Sequence, residues 1–132
     1  MTTPNSRHPG RFIWHDLAAA DTAAALDFYR AVFGWTAITE HANGGQLIRL
    51  QCDGQDVGSM YALSHREREH GVPSHWTNYV CVENIEAATC RVEAAGGAIL
   101  VQPFEVENVA RIALVADTLG SILGLWESLP HE

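Results

Sequence analysis

His15, Asp16, His75 and Tyr79 are the side chains whose types and placement can do chemistry in this sequence. Trp14, His15 and Asp16 read as consecutive residues of a strand, so Trp14 and Asp16 share one face and His15 takes the other. A carboxylate on an open strand face can act as a general base or anchor a cationic or hydroxylated ligand. The plainer reading is a solvated or paired carboxylate at a strand end. Tyr79 stands at the matching place in the second half of the chain, where it can exchange a proton or a hydrogen bond with Asp16 across a pocket. His15 and His75 offer a different chemistry. A bulge or a one-residue change of register would turn them inward, and Glu40, Glu127 and Asp16 would then complete a divalent-metal ligand set. Without that change, His15 is a hydrogen-bonded residue beneath a helix. Trp14, Trp76 and Trp126, with Met60 and Phe104, can wall a flat apolar ligand, although Trp35 and Trp76 read more simply as core.

Other patterns carry less. His65, His70 and His75 recur every five residues among charged neighbours, a spacing that fits neither a helix face nor a strand face and suits a solvated linker. Gly44-Gly45 and Gly96-Gly97 lack the flanking residues of a phosphate cradle and read as turns. No serine stands in a nucleophile-elbow context.

The elements that must position these residues repeat. Phe12 to Trp35 reads as a strand that holds Trp14, His15 and Asp16, then a helix capped by Asp21 and carrying Ala25, Phe28, Tyr29, Val32 and Phe33, then a stop at Gly34. Strands follow at Thr36–His41, Gln46–Cys52 and Gln55–Leu63, separated by Asn43-Gly44-Gly45 and Asp53-Gly54 turns. Ser64 to His75 is polar, contains Gly71 and Pro73, and reads as a connecting loop. The order then begins again: a strand over Trp76–Val82, Asn84 as cap, and a helix with Ile85, Ala88, Val92 and Ala95. Gly96-Gly97 stops that helix, and strands cover Ala98–Val101, Val109–Ala116 and Ser121–Ser128. The pattern predicts an α+β domain made of two β-α-β-β-β modules, with a pocket on the face that one helix per module leaves uncovered.

The chain has 132 residues, enough for one domain with a real core. Residues 1–9 read as a disordered lead-in, and residues 10–128 as one domain: module 1 over 10–63, a linker over 64–75 and module 2 over 76–128. The net charge of −8 and the lack of a basic stripe argue against nucleic acid. No apolar run suggests a membrane span, and no apolar segment at the start suggests a secretory signal. Cys52, Cys81 and Cys90 have no metal-type spacing. Cys81 and Cys90 are expected to be reduced core residues, which fits a cytoplasmic protein.

Taken together, the strand–Asp21–helix–Phe28-Tyr29 run ending in Phe33-Gly34-Trp35, the second strand–Asn84–helix–Gly96-Gly97, and the stretch from Arg111 to Trp126 resemble the vicinal oxygen chelate superfamily. This is the glyoxalase, bleomycin-resistance and extradiol-dioxygenase fold, and the glyoxalase-like hydroxylase and lyase subgroup looks most similar. The resemblance covers residues 10 to 128. It implies a cup-shaped, partly closed mixed sheet with helices outside, within a homodimer. It also implies a divalent metal held by His and Glu from the first and last strands of each module, acting as a Lewis acid. By position those ligands fall on Trp14, Thr77, Gly58 and Gly124. An indole N–H has no lone pair to give, Thr is a poor ligand and Gly has no side chain. The expectation is therefore a protein without metal or other cofactor. It would bind a small organic molecule against Trp14, Thr77, Met60, Phe104 and Trp126, with Asp16 and Tyr79 as candidate catalytic residues. The alternatives are a divalent-metal lyase, isomerase or dioxygenase using His15 and His75, and a structural or regulatory dimer without catalysis.

Overall fold

A computed structural model describes residues 8–129. The expected lead-in lies mostly outside the described residues. The element order is β1 (Phe12–Ala19), α1 (Thr22–Phe33), β2 (Thr36–Ala42), β3 (Gly45–Cys52), β4 (Gln55–Ala62), α2 (His65–Glu69), β5 (His75–Cys81), α3 (Ile85–Ala94), β6 (Ala98–Val106), β7 (Ala110–Ala116) and β8 (Ile122–Ser128). This is an α+β chain in which β-α-β-β-β occurs twice. It has two compact units, one of residues 15–77 and the other of residues 8–14 with 78–129.

The caps explain why the helices start where they do. Asp21 and Asn84 are extended residues whose side-chain oxygens accept from the N–H of Ala24 and Ala87, each at 3.0 Å. Each satisfies one of the four free donors of a first turn. Gly34 ends α1 at φ 75°, a left-handed conformation that costs a glycine little. The hairpin turns behave similarly. Asn43 and Gly44, then Asp53 and Gly54, all take positive φ, and the resulting twist suits the flanking strands.

In the unit of residues 15–77 the strands run β2-β3-β4-β1, with β4 and β1 parallel and the other pairs antiparallel. Leu17, Ala19, Leu50 and Met60 form its buried cluster, covered by Ala25, Leu26 and Tyr29 of α1. The other unit repeats the plan as β5-β8-β7-β6, with β5 and β8 parallel. Its cluster is Ile85, Ala88, Ala113, Val115 and Leu125. Gly10 N–H donates to the Cys81 carbonyl and Cys81 N–H to the Arg11 carbonyl, which ties the residues before β1 into this unit. No helix among the described residues is long and apolar enough to cross a membrane.

Four local expectations are corrected. The segment expected as a loop holds α2, where Ser64 Oγ accepts from Glu67 N–H and Glu67 Oε1 accepts from Ser64 N–H, a reciprocal cap. Strand β6 continues to Val106 because Pro103, which cannot donate to a ladder, lies on an edge strand of its unit. The α1 stripe divides: Tyr29 packs inward beside Ala25 and Leu26, while Phe28, Val32 and Phe33 stay more than half exposed. Cys90 is exposed, because α3 turns Ala88 and Thr89 inward; Cys81 is buried.

Beside α3 a cleft of about 300 Å³ is lined by Val92, Ala95, Gly97, Val115, Thr118 and Leu123. The residue at the same distance from the cap of α1 is Tyr29, which stacks on Trp35 at 5.3 Å.

The two caps do equal work, so Asp21→Ala and Asn84→Ala should each cost about 1 kcal/mol. Urea midpoints of the single variants measure it, and a loss confined to one variant would contradict the equivalence.

Candidate functional site

Parallel pairing of β1 and β4 places Asp16 opposite Ser59 and Leu17 opposite Met60. Leu17 and Met60 face α1, so Asp16 and Ser59 occupy the other side of the sheet. Ser59 Oγ donates to Asp16 Oδ1 at 2.8 Å. Burial pushes the Asp16 carboxyl up from 3.8 to about 6, although the Ser59 hydrogen bond and the charge of nearby His75 both pull the other way. Tyr61, also on β4, is pushed up to about 12 by burial, then by the charges of Asp16 and Glu67, so its phenol remains a donor.

His75 is partly buried at the start of β5, and its Nδ1 lies 2.8 Å from the Pro73 carbonyl oxygen. A carbonyl only accepts, so Nδ1 donates in this bond. Ser74 Oγ accepts from Ala20 N–H at 2.9 Å, which clasps the segment before β5 to the end of β1. Arg49 is the register partner of Ser59. Its guanidinium is held by Asp56 at 3.3 Å and lies 3.5 Å from Glu40, and Gln51 donates to Asp56 at 2.8 Å. Asp16 thus has a hydroxyl, a phenol and an imidazole as neighbours on its own unit, and the nearby cation is already neutralised.

The second unit carries aromatic rings. Trp14 and Trp126 lie 5.9 Å apart at 40°, and Tyr79 meets Trp126 edge-on at 5.8 Å. Trp126 Nε1 donates to Ser128 Oγ at 3.2 Å. Across the register, Ile112 lies opposite Trp126 and Phe104 opposite Ile112, so Phe104 continues this face and is 41% exposed. Tyr79 is buried beneath it.

The remaining expected site residues lie elsewhere. Met60 is fully buried in the α1-facing cluster, since its register partner is Leu17; it packs as core and does not line the Asp16 face. Thr77 is buried on β5. Trp76 lies in an outer aromatic cluster, its Nε1 donating to the Tyr29 hydroxyl at 3.0 Å beside Trp35. His15 is exposed on the face of β1 opposite Asp16. A Cβ built on Gly58 would lie 2.7 Å from the His15 carbonyl oxygen, and Gly58 pairs with the core residue Leu50, so Gly58 too belongs to the α1 side. Glu40 is spent on Arg49, and Glu127 accepts from Ile85 N–H at 2.8 Å at the start of α3.

Sequence reasoning missed Ser59 and Tyr61. Their alternation in Gly58-Ser59-Met60-Tyr61 was visible, but the register of a parallel pair is set by packing against α1 and has no turn to reveal it.

The profile of the Glyoxalase/Bleomycin resistance protein/Dioxygenase superfamily matches residues 11–124. The chain belongs to this superfamily. It is 34% identical over 129 residues to the anthracycline biosynthesis protein DnrV of Streptomyces peucetius, a match covering 89% of this chain and 47% of that protein. The anthracycline biosynthesis protein DauV of Streptomyces sp. strain C5 gives the same figures. The chain thus spans about half the length of these curated relatives. Among solved structures, methylmalonyl-CoA epimerase from Mycobacterium tuberculosis shares the fold, with a TM-score of 0.65 at 16% identity, covering 98% of this chain and 94% of that one.

The superfamily's divalent metal does not fit the residues present. Asp16 pairs with Ser59 as Tyr79 pairs with Gly124, so the place matching Gly124 in the first module is Ser59. Gly58, where the resemblance put it, points to the α1 side. The four positions Trp14, Thr77, Ser59 and Gly124 supply an indole, two hydroxyls and one residue with no side chain. Among the described residues no group of three or more His, Cys, Asp or Glu side chains could hold an ion.

Asp16 also makes stability depend on pH. Its folded value is raised, so its contribution is fully present below about pH 4 and is lost as pH rises through about 6. Asp16→Asn should remove that dependence and stabilise the protein at pH 8 by about 1–3 kcal/mol. Urea unfolding at pH 5 and pH 8 tests this, and equal pH dependence in both proteins would refute it.

Proposed function

We propose that this chain is a metal-independent member of the glyoxalase superfamily that binds a small, flat organic molecule and moves a proton on it through Asp16. The observation that carries the reading is the Asp16 carboxyl, held by Ser59 and raised to about 6. Such a group is ionised at neutral pH, yet basic enough to accept a proton and acidic enough to return it. Tyr61, which keeps its proton, can donate to an oxygen on which charge develops. No step requires a Lewis acid. The flat ligand is supported by the names of the Streptomyces relatives, since an anthracycline is a fused-ring molecule, and the unit of residues 8–14 with 78–129 carries in its Trp14–Trp126 pair a stacking surface of its own. Capture without chemistry is the second reading, and the same aromatic pair favours it.

Anthrone, a flat tricyclic ketone with an acidic CH2, separates the readings. Wild-type protein should quench its tryptophans on binding anthrone and speed exchange of the CH2 hydrogens with D2O, at a rate rising with pH through about 6. Asp16→Asn should still bind and lose about 10²–10⁴-fold in exchange rate, and EDTA should change neither. Binding without faster exchange would leave capture alone, loss of exchange in EDTA would point to a metal enzyme, and no binding would favour a structural role.

A further inference from the structure

The superfamily resemblance puts the last acidic metal ligand of the second module on Gly124. In this chain that place is filled. Tyr79 and Gly124 are register partners in the parallel β5–β8 pair, where Val80 faces Leu125 and Cys81 faces Trp126. A Cβ built on Gly124 would collide with the Tyr79 ring at Cγ, Cδ2 and Cε2. Three ring atoms are involved and Tyr79 is only 4% exposed, so the ring has little room to swing aside. The backbone cannot yield cheaply either, because moving β8 away from β5 breaks the ladder that carries Trp126. The same ring meets Trp126 edge-on, and Trp126 lies against Trp14.

We propose that Tyr79 and Gly124 are the specificity-determining pair of this protein. The Tyr79 ring occupies the space from which a metal-binding carboxylate would project and instead supports Trp126 against Trp14. The ligand selected is then a flat aromatic molecule and not one held through two chelating oxygens. The inference rests on the metal-independent reading above and adds how that reading is built into the packing. Tyr79 acts through Trp126 and is a positioning residue, and Gly124 is the gap that admits its ring.

A double-mutant cycle on the full chain tests the pair, with anthrone affinity from tryptophan quenching and the urea midpoint as readouts. Gly124→Ala should weaken anthrone binding about tenfold or more and lower the midpoint. In a Tyr79→Ala background the same change should cost far less on both readouts, since the ring it strikes is gone. Tyr79→Phe, which keeps the ring, should bind anthrone within about twofold of wild type. If Gly124→Ala does not fold, recovery of a folded protein in the Tyr79→Ala/Gly124→Ala double variant supports the clash, and failure to recover counts against it. Wild-type protein that binds anthrone with an affinity unmoved by Gly124→Ala would overturn the pair's role and leave the proposed function standing. A wild-type protein that binds no anthrone would overturn the function and this specificity together. A Gly124→Glu variant that takes up one equivalent of Zn2+ with Tyr79 in place would also overturn the proposal.

Discussion

The parallel register of β1 with β4 is the constraint on which the Asp16 cluster depends. It seats Leu17 against Met60 under α1 and, in the same stroke, turns Asp16 and Ser59 to the other side of the sheet. A slip of one residue would bury Asp16 under the helix without a partner and expose the core, so the hydrophobic cluster enforces the position of the polar pair. Apolar burial fixes where the carboxyl sits, and the restricted solvent there raises its proton affinity. The sheet's core and the site's chemistry are consequences of one alignment.

The other unit solves a similar problem with rings. Its parallel pair, β5 with β8, matches a buried phenol to a residue with no side chain, and the aromatic contacts extend from there to Trp126 and Trp14. Each module therefore uses its parallel pair differently: the first presents groups that can exchange protons, the second a stacking surface. Divergence between the halves of a repeat is easiest where each half keeps its own core, as these do.

Much of the fold was legible because its signals are local. Asp21, Asn84, Gly34 and the Asn-Gly and Asp-Gly turns act within a few residues of themselves, and each does in the structure what its type suggests. The site was legible in part. Alternation along β1 was enough to put Trp14 and Asp16 together and His15 apart, but repeat symmetry read from the chain matched Gly124 to Gly58, whereas the register matches it to Ser59. Ser59 could not be found this way, because its partner lies 43 residues away and nothing between them counts the register. Met60 was misassigned for the same reason: one residue of register separates the two faces of β4. The reciprocal cap of α2 was written in Ser64 and Glu67, but Gly71 and Pro73 just beyond drew the whole segment toward a loop.

The cleft beside α3 records an unevenness between the two modules. Where α1 fills the gap over its strands with Tyr29 stacked on Trp35, α3 offers Val92 and leaves space open. A cleft beside a hydrophobic cluster leaves apolar surface facing water, so the second module buries less there than the first. That slack is headroom for an engineer: a larger apolar side chain at Val92 or Ala95 would have somewhere to go, which is the usual route to cavity-filling stabilisation. It is also tolerance for evolution, because this half can absorb a destabilising change near its Trp14–Trp126 face and be compensated from behind.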